Sequence, residues 1–285
     1  MTLGPRRSLR LVMGTVLASL LSFACHARAV DQAAHAKLPT KIKQSGVLQV
    51  ATSLQWPPFD YKSDAGEPDG IDIRLVKAIA ERLGLKPKFT DVKFPSIVPG
   101  VSTGRFDIGV DQLAETPARA KVVQFVVYYG SALGLLVRQG STVNLHNLCG
   151  HTLALTQGSS QVAVAQHLSD ECVSHHEKPI SMLSYPDSAD TYMAVANGRG
   201  DGFLTDTAVG VYIARHNGKL SMAPGSLPET RSLAGNVIAK ENTQLANAVR
   251  RALLDTMRDG TYKKILSEYG VAGAALTPSE VHSPQ

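Results

Sequence analysis

Apolar and polar positions along the chain alternate between short runs of strand length and longer runs spaced at 3.6 residues. Residues 47–52 form a short apolar run that reads as a strand. Asp72 is expected to cap a helix that continues to Leu83, with Ile73, Val76, Ala80 and Leu83 on one face and Gly84 as its stop. A second strand is expected at 88–92, a second helix at 95–103, and a third, buried strand at 108–110. This βαβαβ order predicts a mostly parallel sheet flanked by helices.

The same order then repeats. Strands at 153–156, 179–183 and 202–204 alternate with helices at 161–168, 189–197 and 208–215. A Gly/Pro/Ser-rich stretch at 223–235 precedes a last strand at 237–239 and helices at 243–258 and 262–269. Two α/β units in succession predict two lobes, a discontinuous one at 38–132 with 234–272 and an inserted one at 133–233. Segments 133–137 and 231–236 then cross between the lobes, and such paired crossings act as a hinge beside a ligand cleft. The small, polar tail at 273–285 is expected to be loose.

Composition changes this picture mainly at the front of the chain. Arg6, Arg7 and Arg10 precede an uncharged apolar run at 11–24, and Ala27-Arg28-Ala29 supplies the small residues of a cleavage site, so 1–29 reads as a signal peptide. The run is short for a membrane span and no later segment is long and apolar enough, which predicts a soluble, exported protein of the periplasm. Cys25 follows the poor lipobox Ser22-Phe23-Ala24, so a lipid anchor there is not expected. The whole chain carries 29 basic and 24 acidic residues. Four of the arginines lie in the leader, which leaves 25 against 24 and a net charge of +1. Nothing in that balance supports a nucleic-acid or polybasic membrane surface.

Two cysteines remain after cleavage, Cys149 and Cys172. In an oxidising compartment a disulfide is the expected outcome, and by the loop-entropy model it adds about 3 kcal/mol. A zinc site competes with it, because His151, His175 and His176 stand near the two thiols.

One segment carries the candidate chemistry. Strand 108–110 gives way to a helix whose N-cap is Thr116 and whose first position is Pro117, which puts Arg119 in the first turn. An Arg fork beside the free N–H groups of a helix start is a receptor for a carboxylate, and open α/β folds place such sites beyond the carboxyl ends of their strands. A solvated surface arginine is the alternative. Enzyme motifs are missing: Gly158-Ser159-Ser160-Gln161-Val162 lacks the second glycine of a nucleophile elbow, and Gly198-Arg199-Gly200-Asp201-Gly202 lacks dinucleotide spacing and follows a helix. No phosphate loop is present, and no cofactor is expected.

Five stretches in order, VATSLQWPPFDYKSDAGEPDGIDIRLVKAIAERLGL, STGRFDIGVDQLAETPARAKVVQFVVYY, LCGHTLALTQGSSQ, ANGRGDGFLTDTAVGVY and NTQLANAVRRALLDTMRDGTYKKILSEYGV, resemble the type 2 periplasmic solute-binding proteins that feed polar amino acids to ABC importers. The resemblance covers nearly the whole mature chain and implies a two-lobed α/β fold of the periplasmic-binding-protein type. It also implies a monomer that closes on a polar, in some members basic, amino acid and presents it to an ABC permease in the inner membrane.

Position by position, Arg119 matches the residue that clamps the ligand α-carboxylate, helped by the backbone N–H of Ala114 and by Ser160, with Ser159 beside it. Asp206 matches the acceptor of the α-ammonium; a helix N-cap before Thr207-Ala208 is its competing reading. Trp56 and Phe94 align with the aromatic positions that sandwich the ligand side chain, whereas Phe59 is expected to pack beneath the loop. Ser53 stands where several relatives have Asp, and Asp111 stands where a small residue is common. Asp111 either faces the cleft, to receive a cation or an extra donor, or is a solvated turn residue. Gln112, Thr156 and Gln161 are further polar candidates. Two other functions stay open on the same fold. One is a periplasmic prephenate or arogenate dehydratase with Asp111 or Glu115 as its acid, and the other a sensor domain that signals to a membrane receptor.

Overall fold

The computed structural model describes residues 1–2 and 30–282. The signal-peptide and Cys25 expectations fall almost wholly on residues outside that range. Two short helices, α1 (Gln32–Ala36) and α2 (Thr40–Ser45), lead into β1 (Val47–Thr52). A three-stranded ribbon follows, made of β2 (Gln55–Trp56), β3 (Asp60–Lys62) and β4 (Pro68–Asp69). Then come α3 (Ile71–Arg82), β5 (Lys86–Asp91), α4 (Ile97–Ser102), β6 (Ile108–Ala114), α5 (Pro117–Ala120) and the sixteen-residue β7 (Val123–Arg138). The second unit comprises β8 (Thr152–Thr156), α6 (Gln161–Ser174), β9 (Ser181–Tyr185), α7 (Ser188–Ala196), β10 (Gly202–Asp206), α8 (Thr207–His216) and β11 (Leu220–Met222). The chain returns through β12 (Leu227–Ala239) to α9 (Thr243–Arg258) and α10 (Thr261–Glu268).

The main sheet runs β5-β1-β6-β12-β7-β10-β8-β9. β5, β1 and β6 are parallel, as are β10, β8 and β9. Between the two groups, β12 pairs antiparallel with both β6 and β7. The lobes therefore do not own separate sheets, because both share β7 and β12, whose length carries them through both. The stretch at 223–235, which reads as loop, is largely strand from Leu227 onward, since its backbone groups find partners on β7 and β6 that composition does not reveal. At the bulge near Gly235 the two crossings approach so closely that a Cβ there would stand 2.4 Å from the Val126 carbonyl oxygen.

Local expectations fare unevenly. Asp72 does not cap α3: the cap position is Gly70 at φ 123, where a side chain would strike the Phe59 carbonyl at 2.2 Å. Asp72 is instead the fully buried second residue of the helix, accepting from Gln112 N at 2.8 Å and from the Tyr128 hydroxyl. α6 runs past its expected end to Ser174, with Ala165, Ser169 and Cys172 buried along one face. The amphipathic α9 buries Leu245, Val249 and Leu253, and Asn242 caps it by accepting from Leu245 N at 3.2 Å. The segment after 273 packs down as far as it is described. Leu276 and Val281 are buried, Tyr262 Oη donates to the Tyr128 carbonyl and accepts from Leu276 N, and Arg250 donates to the Val281 and His282 carbonyls.

Candidate functional site

The two lobes face each other across a cavity of about 40 Å³, room for a few water molecules. Phe203 of β10 meets Trp56 edge to face at 6.1 Å, and Asp187 at the start of α7 accepts from Lys93 and, at 3.4 Å, from Gln55 Nε2. The lobes are thus drawn together, and a ligand of amino-acid size enters only when they separate.

Arg119 is held as its local sequence predicts. Thr116 Oγ1 accepts from Arg119 N at 3.3 Å, and Pro117 occupies the first helical position. The guanidinium lies over the Phe94 ring, 5.6 Å from its centroid. Nη1 donates to the Ala114 carbonyl at 2.8 Å, and Nη2 crosses to the Gly158 carbonyl of the other lobe at 3.1 Å. Burial lowers its pKa and the nearby Asp111 carboxylate opposes that shift. Ala114 therefore contributes a carbonyl to Arg119, whereas the expectation concerned its N–H.

Asp206 ends β10 on the facing wall. It satisfies both readings of the sequence at once, because Oδ1 accepts from Ala208 N at 2.9 Å as the cap of α8, while Oδ2 accepts from Gln112 Nε2 at 2.8 Å and from the Ser131 hydroxyl. Burial pushes its pKa up to about 6 against those hydrogen bonds. Gln112 has φ 43, unusual for a residue with a side chain and worth roughly 1–3 kcal/mol of strain. Three bonds hold it there: its backbone N–H to Asp72, its Nε2 to Asp206, and its Oε1, which accepts from Trp56 Nε1 at 2.8 Å.

The start of α6 closes the opposite side. Ser160 occupies the N-cap position without a side-chain cap bond, and the buried Ser159 hydroxyl has no partner among the described residues. Both line the cavity, as do Gln161 and Thr156, whose hydroxyl meets Thr191 Oγ1 at 3.1 Å. Asp111 lines it too and is 3% exposed, so it is a cavity residue and not a solvated turn residue. Ser53 stands behind that wall, donating from its backbone N to Asp111 Oδ2 at 3.0 Å. Phe59 is fully buried against Tyr129, 4.8 Å between centroids. Cys149 and Cys172 form the disulfide, which removes the zinc alternative, and no cluster of metal-ligating side chains occurs among the described residues.

Sequence reasoning missed five wall residues. Ser131 and Leu133 come from β7, Ser232 and Ala234 from β12, and Ser188 from the start of α7. The crossings themselves were legible, but which of their residues turn toward the cleft depends on twist and register. No local signal carries that.

A sheet shared through two crossing strands, with a guanidinium on one wall of a cleft and a carboxylate on the other, defines a two-lobed binding protein of the type II periplasmic class. The chain belongs to the bacterial extracellular solute-binding proteins, family 3, whose model matches residues 48–272. It is 25% identical over 245 residues to the arginine-binding protein ArgT of Corynebacterium glutamicum, covering 85% of this chain and 80% of the relative. Among solved structures it resembles an ancestral arginine-binding protein bound to glutamine, with a TM-score of 0.71, 26% identity and 79% and 98% of the two chains covered. It also resembles the ancestral amino-acid-binding protein AncCDT-1, described as a precursor of cyclohexadienyl dehydratase, with a TM-score of 0.68, 26% identity and 80% and 97% covered. No helix among the described residues is long and apolar enough to cross a membrane.

Proposed function

We propose that the protein binds an α-amino acid in the periplasm by closing its lobes and delivers it to the permease of an ABC importer. The observation that carries this reading is the presence of Arg119 and Asp206 on opposite walls of one cavity, each from a different lobe. The α-carboxylate meets the Arg119 fork and the unpartnered Ser159 hydroxyl at the start of α6. The α-ammonium takes the place of Gln112 Nε2 on Asp206. Charge-assisted bonds of this kind are worth about 1.5–3 kcal/mol each, and those on the second wall form fully only in the closed state. The ligand therefore favours closure by its differential contacts, and an importer can recognise the loaded shape.

The arginine-binding relatives named above support a binder over a dehydratase; that the protein acts as a monomer is carried only by the family resemblance. A thermal-shift screen against the free amino acids, with arogenate turnover followed in parallel, tests the whole reading. At least one amino acid is expected to raise the unfolding temperature, and Arg119→Ala is expected to abolish that shift. If no α-amino acid stabilises the protein, the proposal fails; turnover of arogenate would favour the enzyme.

A further inference from the structure

Three carboxyl groups, Asp111 in the cavity wall and Asp60 and Asp72 behind it, are buried to 3% exposure or less. Asp72 is satisfied by Tyr128 and by the Gln112 backbone. Asp60 is different. Its Oδ2 accepts from Leu54 N at 3.0 Å and from the Thr52 hydroxyl, but its fully buried Oδ1 meets no donor among the described residues. The group within its hydrogen-bonding reach is Asp111, itself an acceptor, already tied through Oδ2 to Ser53 N. Two carboxyl groups can hydrogen bond only when one of them carries a proton, and two bare carboxylates this deep would repel strongly. The charged and titratable groups around the pair are Asp72 of α3, Tyr128 of β7, Arg119 of α5 and, across the cavity, Asp206 of β10. Arg119 is the one cation among them, and its guanidinium donates to carbonyls, not to the pair.

The Arg119 and Asp206 clamp is balanced by a zwitterion, so the proposed function leaves the Asp60–Asp111 pair with no ligand group of its own. We infer that Asp111, backed by Asp60, is the subsite for a cationic ligand side chain, and that uptake of that cation expels the proton the two carboxyl groups share. The proton passes to solvent, the guanidinium or ammonium takes its place, and the charge of the site is conserved. Burial pushes Asp111 up to about 6 and, with repulsion from Asp111 and Asp72, holds Asp60 well above the ordinary carboxylate range, so the proton is present where the exchange requires it. In this chain the side-chain carboxylate is thus supplied by β6 and not by position 53, which holds Ser53.

This inference rests on the amino-acid reading, and calorimetry separates the two. Titration of the full mature chain with L-arginine, L-lysine and L-glutamine, at pH 5.5 and pH 8 and in buffers of different ionisation enthalpy, is expected to show close to one proton more released per arginine or lysine than per glutamine at pH 5.5, because the α-ammonium of all three displaces the proton that Asp206 holds there. It is expected to show little difference between the three ligands at pH 8. In Asp111→Asn the preference for arginine over glutamine is expected to fall by about 30-fold or more. Asp60→Asn is expected to weaken the pH dependence of arginine binding, and it serves as the second variant if Asp111→Asn does not fold. Glutamine binding with no arginine binding, or arginine binding that releases no more protons than glutamine binding at pH 5.5, overturns the inference and leaves the amino-acid reading standing. Failure of all three ligands to bind removes the inference, and the amino-acid reading then stands or falls with the full thermal-shift screen.

Discussion

Asp206 answers to helix geometry and to charge together. Its Oδ1 caps α8 while its Oδ2 faces the cavity, and asparagine keeps the first role while abolishing the second. Asp206→Asn is therefore expected to retain a folded protein with an intact cap but to weaken amino-acid binding by about 30-fold or more, as loss of one partner in a desolvated charge pair does. Isothermal titration alongside circular dichroism checks both halves. Arg119 was legible because a cap motif determines its placement from neighbours in sequence, whereas the ligand role of Asp206 came from the family resemblance, its local sequence pointing only to a helix cap. Ser53 does not line the cavity, and its backbone N–H is instead tied to Asp111 of β6, a contact 58 residues away in sequence that no local pattern records.

Among elements, the excursion carrying Cys149 and the helix α6 are tied together at residue 172, with Cα atoms 5.6 Å apart and a sequence separation of 23. Cys172 packs with Leu148, Leu153 and Ile180 in the core of the second lobe. Replacing both cysteines by serine is expected to lower stability by about 3 kcal/mol, read as a shift of the urea midpoint at constant slope. A midpoint that does not move would show that the loop is already held by its packing. Helix existence was well marked by periodicity in the longer helices, as in α9, whereas the short α1 and α2 went unread and helix ends were poorly marked. α6 outran its expected end because tertiary burial of Ser169 and Cys172 outweighs the polar local sequence. Conversely, Asp72 looked like a cap and turned out to be a buried acceptor, because only the fold brings Tyr128 and Gln112 to it.

For the whole molecule, the buried carboxyl groups set a pH dependence whose sign is fixed. Asp72 is raised to about 7, Asp111 and Asp206 to about 6, and Asp60 well above its ordinary value, each chiefly by burial. In the window between about pH 4 and pH 7 these groups hold protons in the folded state that the unfolded chain has already released. Their contribution is full below the unfolded value and is lost as pH rises through 6 to 7. The carboxyl groups held below their ordinary range, Asp31, Asp69 and Asp259, act only at lower pH and do not offset this. The ligand-free protein is expected to unfold at a higher temperature at pH 5 than at pH 7.5, and scanning calorimetry giving the opposite order would contradict it. At this scale the division between sequence and structure is plain. Hydrophobic period, caps and cysteine count, all local properties, determined the alternating α/β plan, the two crossings, the disulfide partners and the location of Arg119. What only the tertiary structure decided is how these parts meet: one sheet shared by both lobes, the serines of β7 and β12 turned into the cleft, and Asp60 set against Asp111. Those outcomes depend on strand register and on contacts between residues far apart in the chain, where no local pattern records which side chains will be buried together.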